Sequence, residues 1–174
     1  ARPKDARSWD QAVAHARLVH PDTPQATGDD LAVILHTGGT NGVPKSVPLT
    51  HRNIGTNVNQ CRMWVWKLHE GAETFYSLLP YFHAYGLTFF MCAAVHLAAT
   101  QLLLPKFDVD LALEAHKRRP VTFFVGVPPM FERVMNRAAE KNVSLKTIKW
   151  SICGAMPLSK TLAQQWEEAT DGMI

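Results

Sequence analysis

Residues His36 to Ser46 read His-Thr-Gly-Gly-Thr-Asn-Gly-Val-Pro-Lys-Ser, which gathers three glycines, three hydroxyl side chains, an amide and a lysine. Glycines let a backbone curl until its N–H groups converge on an anion. Hydroxyls and a lysine add donors for phosphate oxygens. The chemistry this composition suits is holding a phosphate. A Walker A loop is the nearest general pattern, and it fails on two counts. Reading G-x-x-x-x-G-K-[ST] onto Lys45 and Ser46 places Gly39 correctly but sets Pro44 where the last glycine belongs. Proline has no N–H to offer. A Walker loop also feeds straight into a helix, whereas Pro48 keeps the residue before it extended.

Other chemistry-bearing side chains are more ambiguous. His83, after Leu79-Pro80-Tyr81-Phe82, reads on its own as a helix-start or core histidine. His51 suits a hydrogen bond at the start of its helix. His15, His20, His69, His96 and His116 have no metal-ligand spacing with cysteines or carboxylates, so no metal cluster is assigned. Cys61, Cys92 and Cys153 are widely spaced without a CxxC, and read as buried free thiols in a reducing cytosol.

These residues must be positioned by the elements around them. Trp9, Ala12, Val13 and Ala16 have helical spacing, broken by Pro21, Pro24 and Gly28. Leu31 to Leu35 is a continuous apolar run and predicts a buried strand entering the glycine-rich loop. Thr50 reads as an N-cap, and Ile54, Val58, Cys61 and Val65 follow at helical spacing. From Thr74 onward strands and helices alternate. TFYSLLP, TQLLLP, VTFFVGV and IKWSICG read as strands. The stretch 83–99, DVDLALEAHKRR, PPMFERVMNRAAEKN and LSKTLAQQWEEA read as helices. The 83–99 helix is apolar nearly all round and is expected to be buried. Met173-Ile174 looks like the opening of a further strand. This order predicts an α/β fold, a parallel sheet of βαβ units with helices packed on it.

Composition narrows the partners. The formal net charge of +3 over 174 residues is small and its basic residues are scattered, which argues against a nucleic-acid partner. The longest apolar stretch, Tyr85 to Ala99, is interrupted by His96 and is shorter than the roughly 20 residues of a membrane span. With no leader-like start, the expectation is a cytoplasmic protein.

The loop closely resembles that of the acyl-adenylating superfamily of acyl- and aryl-CoA synthetases, luciferases and peptide-synthetase adenylation domains, written [YF]-T-[SG]-G-T-T-G-x-P-K-G-V and followed by T-H-x-N. Thr37, Gly39, Thr40, Gly42, Pro44, Lys45, Val47, Thr50, His51 and Asn53 match in register. Asn41, Ser46 and His36 depart from a usual threonine, glycine and aromatic. Leu79 to Gly86, Val121 to Val134 and Ile152 to Leu158 resemble later landmarks of the same family, in its order. Met156 stands where a smaller residue is usual.

The resemblance implies an ATP-dependent enzyme that forms an acyl-adenylate and passes the acyl group to coenzyme A, with Mg²⁺ assisting. It implies that Thr37, Gly38, Gly39, Thr40, Asn41, Gly42 and Lys45 hold phosphates. Gly154, Ala155 and Met156 would border adenine and substrate. His83, the candidate catalytic group, would line the substrate passage with Tyr85 and Gly126. The expected organisation is a lead-in (1–29), an incomplete first subdomain (30–72) and a βαβ-repeating second subdomain (73–174), both partial Rossmann-like units. The magnesium-binding glutamate, ribose-binding aspartate and adenylation lysine of the family lie outside these residues. The chain therefore reads as an internal fragment, inactive alone. Apolar, aromatic-rich segments favour a fatty acid as substrate. An aryl-CoA ligase is the nearest alternative, and another adenylation domain or a non-catalytic nucleotide-binding module the more distant ones.

Overall fold

The computed structural model describes residues 25–38, 44–65 and 67–174. The helical spacing at Trp9 to Ala16 lies outside the described residues. Two sheets form, one of two strands and one of four. In the smaller, β1 (Leu31–Thr37) and β2 (Lys45–Thr50) pair antiparallel, with Thr37 opposite Lys45 and His36 opposite Ser46. The apolar run Leu31 to Leu35 predicted a buried strand. The structure corrects this, because Leu31 is 56% and Ile34 49% exposed. A two-stranded ribbon can lay only one face on a neighbour, here helix α1 (His51–Trp64), and leaves the other open.

α1 begins where its capping chemistry places it. Thr50 Oγ1 accepts the Asn53 backbone N–H at 3.2 Å, and Asn53 Oδ1 accepts the Thr50 N–H at 3.0 Å. This reciprocal pair satisfies donors that an uncapped helix would strand. Pro48 leaves the preceding chain extended as β2.

The larger sheet runs β4 (Thr100–Leu103), β3 (Thr74–Ser77), β5 (Phe123–Gly126), β6 (Trp150–Cys153), all parallel. Met173 makes a parallel bridge to Trp150 on the β6 edge. Between β3 and β4 the chain forms a short helix α2 (Ala84–Gly86), a π-helix (Leu87–Ala93) and α3 (Ala94–His96). The helix expected over 83–99 is thus continuous from 84 to 96 but π-helical in its middle, and it is not buried all round, since Met91 and Val95 are exposed. Helices α4 (Val109–Arg118), α5 (Pro128–Glu140) and α6 (Lys160–Thr170) complete the crossovers. Two prolines open α5, where their missing N–H groups cost nothing. Cys61, Cys92 and Cys153 are free, and half-buried rather than buried. No helix among the described residues is long and apolar enough to cross a membrane.

The sheet is buried on both faces. On one, Tyr76 and Phe124 pack with Phe131 and Trp166, the Phe124–Trp166 ring centroids lying 5.0 Å apart. On the other, Phe75, Phe123 and Val125 pack with Phe90 and Leu97. The buried indole of Trp166 donates to Ser151 Oγ at 2.8 Å, so the core's largest side chain leaves no orphaned N–H. Asp110 ties α4 to α5 through Arg137 (2.7 Å) and Lys141 (2.7 Å), which hold its carboxyl down at about 2.

His116 on α4 is 4% exposed and fastened by both ring nitrogens. Nδ1 accepts the Val121 N–H at 3.3 Å, so Nε2, 3.0 Å from the Ser144 carbonyl, carries the proton of the neutral ring. Burial pushes its pKa below 6.5, against the Ser144 carbonyl, which pulls it upward. The unfolded chain therefore binds this proton more readily. Its contribution is fully present above the unfolded value and is lost as pH falls from there towards the folded one. Urea midpoints measured between about pH 7.5 and pH 5 should fall more steeply for the natural chain than for His116→Asn. Equal slopes would contradict the assignment.

Candidate functional site

The glycine-rich stretch links the end of β1 to the start of β2. Thr37 and Lys45 face each other across the last register pair, so the loop's two ends are held together at its root. Adjacent strands lie about 4.8 Å apart, which brings a hydroxyl and an ammonium onto one side of the loop. A Cβ added at Gly38 would meet nothing within 4 Å, so this first glycine fronts open space. Gly39, Thr40, Asn41 and Gly42 lie outside the described residues.

A second group converges at the carboxyl ends of β5 and β6, the edge where open α/β sheets bind ligands. The Gly154 N–H donates to the Gly126 carbonyl at 3.2 Å, joining the two strand ends. Tyr85 reaches across from α2, and its O–H donates to the Ile152 carbonyl at 2.9 Å with the Gly126 carbonyl at 3.4 Å. Burial pushes this phenol well above its ordinary value, with Cys153 adding to the shift, so Tyr85 stays a hydrogen-bond donor. Its ring lies over Gly154, where an added Cβ would stand 3.1 Å from both Cζ and Oη. Glycine at 154 is thus a matter of space. Next to it, Ala155 takes a left-handed φ of 65°, and Met156 points largely outward.

His83 caps α2, its Nδ1 accepting the Tyr85 N–H at 3.2 Å, and the ring is exposed. Gly86 is required by close approach, since a Cβ there would lie 2.2 Å from the Pro80 carbonyl oxygen. Tyr85, Gly126 and Gly154 are thereby brought into one cluster with His83 at its rim. Thr37 and Lys45 form a separate group. α1 connects the two, following β2 directly and meeting the π-helix through a Thr88 to Asn57 hydrogen bond of 3.2 Å.

Phe89, on the π-helix, was not singled out by sequence. Its ring packs edge-on to Tyr85 at 5.4 Å and lines a cleft of about 1230 Å³ with Trp64, Trp150, Ile152 and Cys153. Only its place four residues after Tyr85, on one helical face, could have flagged it. A cleft of about 950 Å³ opens at the opposite strand ends, away from every candidate residue. Its one buried carboxylate, Glu73, is occupied by Thr122 O–H (2.5 Å) and His69 N–H (2.9 Å) and serves the fold.

The ribbon with its glycine-rich loop and the aromatic cleft along β6 belong to a chain with recognisable relatives. The chain belongs to the AMP-binding enzyme family, which matches over residues 1–174. A long-chain-fatty-acid–CoA ligase from Bacillus subtilis (strain 168) is 36% identical over 145 residues, covering 83% of this chain and 26% of that protein. One from Salmonella typhimurium is 30% identical over 169 residues, covering 95% of this chain and 30% of that protein. The crystal structure of ATP-bound MatB from Rhodopseudomonas palustris superposes with a TM-score of 0.71 at 27% identity, over 85% of this chain and 29% of that one. The chain thus spans under a third of the length of these relatives.

The Tyr85–Gly154 packing makes a coupled prediction. Gly154→Ala should destabilise the natural chain by about 1–2 kcal/mol, because the anchored phenol cannot retreat without losing its bond. In a Tyr85→Ala background the same substitution should cost under about 0.5 kcal/mol. Urea unfolding of the four proteins reads the cycle, and additive costs would refute the contact.

Proposed function

We propose that this chain is the phosphate- and acid-binding segment of an ATP-dependent fatty acyl-CoA synthetase acting in the cytoplasm. Residues 30–72 form its first subdomain and residues 73–174 its second. The observation that carries the reading is the pairing of Thr37 with Lys45 at the root of a glycine-rich loop. The donor set fits a polyphosphate, since a hydroxyl and an ammonium stand where the backbone turns. β1 and β2 contain no carboxylate, so no metal ligand is assigned to them. Mg²⁺, when bound, would offset charge on the phosphate oxygens.

The described residues then divide the work. Thr37, Gly38 and Lys45 hold the β- and γ-phosphates, together with Gly39, Thr40, Asn41 and Gly42. Gly154, Ala155 and Met156 border adenine and the acid, their backbone fixed by the Gly154–Gly126 bond. His83, with Nδ1 occupied by the Tyr85 N–H, offers its other nitrogen to the substrate passage. Tyr85 and Gly126 form the wall of that passage, and the aromatic cleft beside Phe89 supplies apolar surface for an acyl chain. Holding carboxylate and phosphate in one orientation converts a bimolecular encounter into an intramolecular one. Coenzyme A then accepts the acyl group.

ATP–pyrophosphate exchange tests this reading, with acetate, medium- and long-chain fatty acids, benzoate and amino acids compared. The full-length protein carrying this segment should exchange best with fatty acids, and the 174-residue chain alone should show none. Preference for benzoate would make the substrate aromatic. No exchange with any carboxylate would leave a nucleotide-binding module, and exchange by the short chain would overturn its assignment as an incomplete part. Lys45→Ala should lower the exchange rate at subsaturating ATP by about 10-fold or more, through loss of a charge-assisted phosphate contact.

A further inference from the structure

Two apolar spaces meet at Phe89, and the proposed function uses one of them. On one side is the cleft of about 1230 Å³ along β6. On the other is a void of about 10 Å³, lined by Val58, Phe75, Ala93, Leu97 and Phe123. Cys61, Val65 and Phe89 line both spaces and so form the partition between them. We propose that Phe89 sets the width of the acid channel. Its ring closes the cleft off from the void, admitting a straight acyl chain and excluding one that carries a ring at that point. The inference rests on the fatty acyl reading above.

The partition depends on its largest member and on what holds that member still. The Phe89 ring stands edge-on to Tyr85 at 5.4 Å and lies 6.4 Å from Phe123 at 45°. Neither neighbour yields easily. Tyr85 is tied to the Ile152 carbonyl at 2.9 Å, and Phe123, 1% exposed, packs on Phe75 with ring centroids 4.6 Å apart. The backbone is held too, since the Phe89 carbonyl accepts the Ala94 N–H. A ring so placed cannot swing aside for a wider substrate without leaving its rotamer well or colliding with a fixed neighbour.

The space behind the ring gives the partition its consequence. Its charged or polar lining residues, Arg62 and His96, lie 3.4 Å from each other. The remainder is apolar, a free cysteine behaving as a small hydrophobe. A void of this size is at the lower limit for one water, and an apolar one stays dry. Removing the Phe89 ring would merge the two spaces and leave a ring-sized apolar recess in the cleft wall. Recesses of that kind take up aromatic rings. An apolar pocket discriminates by about 10-fold or more for a single methylene, so a ring-sized change in its wall is large. A phenylalanine that merely filled the core would, when lost, lower stability and slow every acid alike.

ATP–pyrophosphate exchange by the full-length protein carrying this segment gives kcat/KM for straight-chain fatty acids and for phenyl-terminated fatty acids of matched length, short to long. The natural protein should favour the straight chain throughout. Phe89→Ala should raise the phenyl-to-straight ratio by about 10-fold or more at one length at least. Phe89→Leu, which keeps most of the packing, should raise it about threefold. Urea midpoints show which variants fold, and Phe89→Leu carries the test if Phe89→Ala does not. An unchanged ratio in a folded variant, or its loss of exchange with every acid, overturns the partition and leaves the fatty acyl reading standing. So does a natural protein that takes phenyl-terminated acids as readily as straight ones. If the natural protein exchanges with no fatty acid, both fall.

Discussion

β5 is buried on both faces, and the positions of the other elements follow from that constraint. All four of its residues are inaccessible, with Phe123 and Val125 turned to one side and Phe124 to the other. Neither layer can be removed without exposing aromatic surface, at roughly 25 cal/mol for each Å². The first layer draws α4, α5 and α6 against Phe124 through Phe131 and Trp166. The second draws in the π-helix through Phe90, and the C-cap of α1 at Val65. Because β3, β5 and β6 are parallel and in register at Phe75, Phe123 and Trp150, their carboxyl ends finish along one edge. The candidate acid site is built on that edge. Tyr85 can touch both the Gly126 and Ile152 carbonyls only because the ladder leaves them side by side.

What could be read from sequence follows the same physics. VTFFVGV is too short for a helix and was legible as a strand, while its inner position in the sheet came only from the structure. The Thr50–Asn53 cap and the prolines opening α5 were equally plain, since they answer local hydrogen-bonding needs. The run Leu31 to Leu35 misled, because continuous apolarity reports what a strand could bury and not how many layers are at hand. The π-helix was hidden for another reason. A π-turn differs from an α-turn by one residue in its hydrogen-bond reach, and an all-round apolar segment has no polar stripe whose drift would betray the change.

The site divides along the same line. The loop was legible because its chemistry lies in consecutive residues. Thr37 and Lys45, eight positions apart, meet simply because a loop must return to its partner strand. The cluster at the strand ends draws on three separate segments, and only resemblance could assemble His83, Tyr85, Gly126 and Gly154 in advance. Even so, the reason for Gly154 was invisible. It is glycine because Tyr85 lies against it, a contact between residues 69 positions apart by their numbering. The role of Tyr85 is also altered by the structure. It was expected to line a passage, and the structure shows it as a brace that joins two strand ends.

The two halves of the candidate site therefore differ in kind, and under the proposed function the difference suits a polyphosphate and an apolar acid. A polyphosphate is held by many donors, each of modest energy, and must be released as pyrophosphate. A ribbon with one open face can adjust its tip without disturbing a core. An apolar acid gains little from directional contacts and depends on shape, which needs walls that do not move. The Tyr85 bond and the packing of Phe89 on Phe123 supply that rigidity on the sheet side. α1 meets both, capped by Thr50 at the ribbon and bonded through Asn57 to Thr88 at the π-helix. Movement of the ribbon on closing around phosphate would have to pass along this helix to reach the acid wall. Under the proposed function, coupling between nucleotide and acid would run through a capping box and one side-chain hydrogen bond.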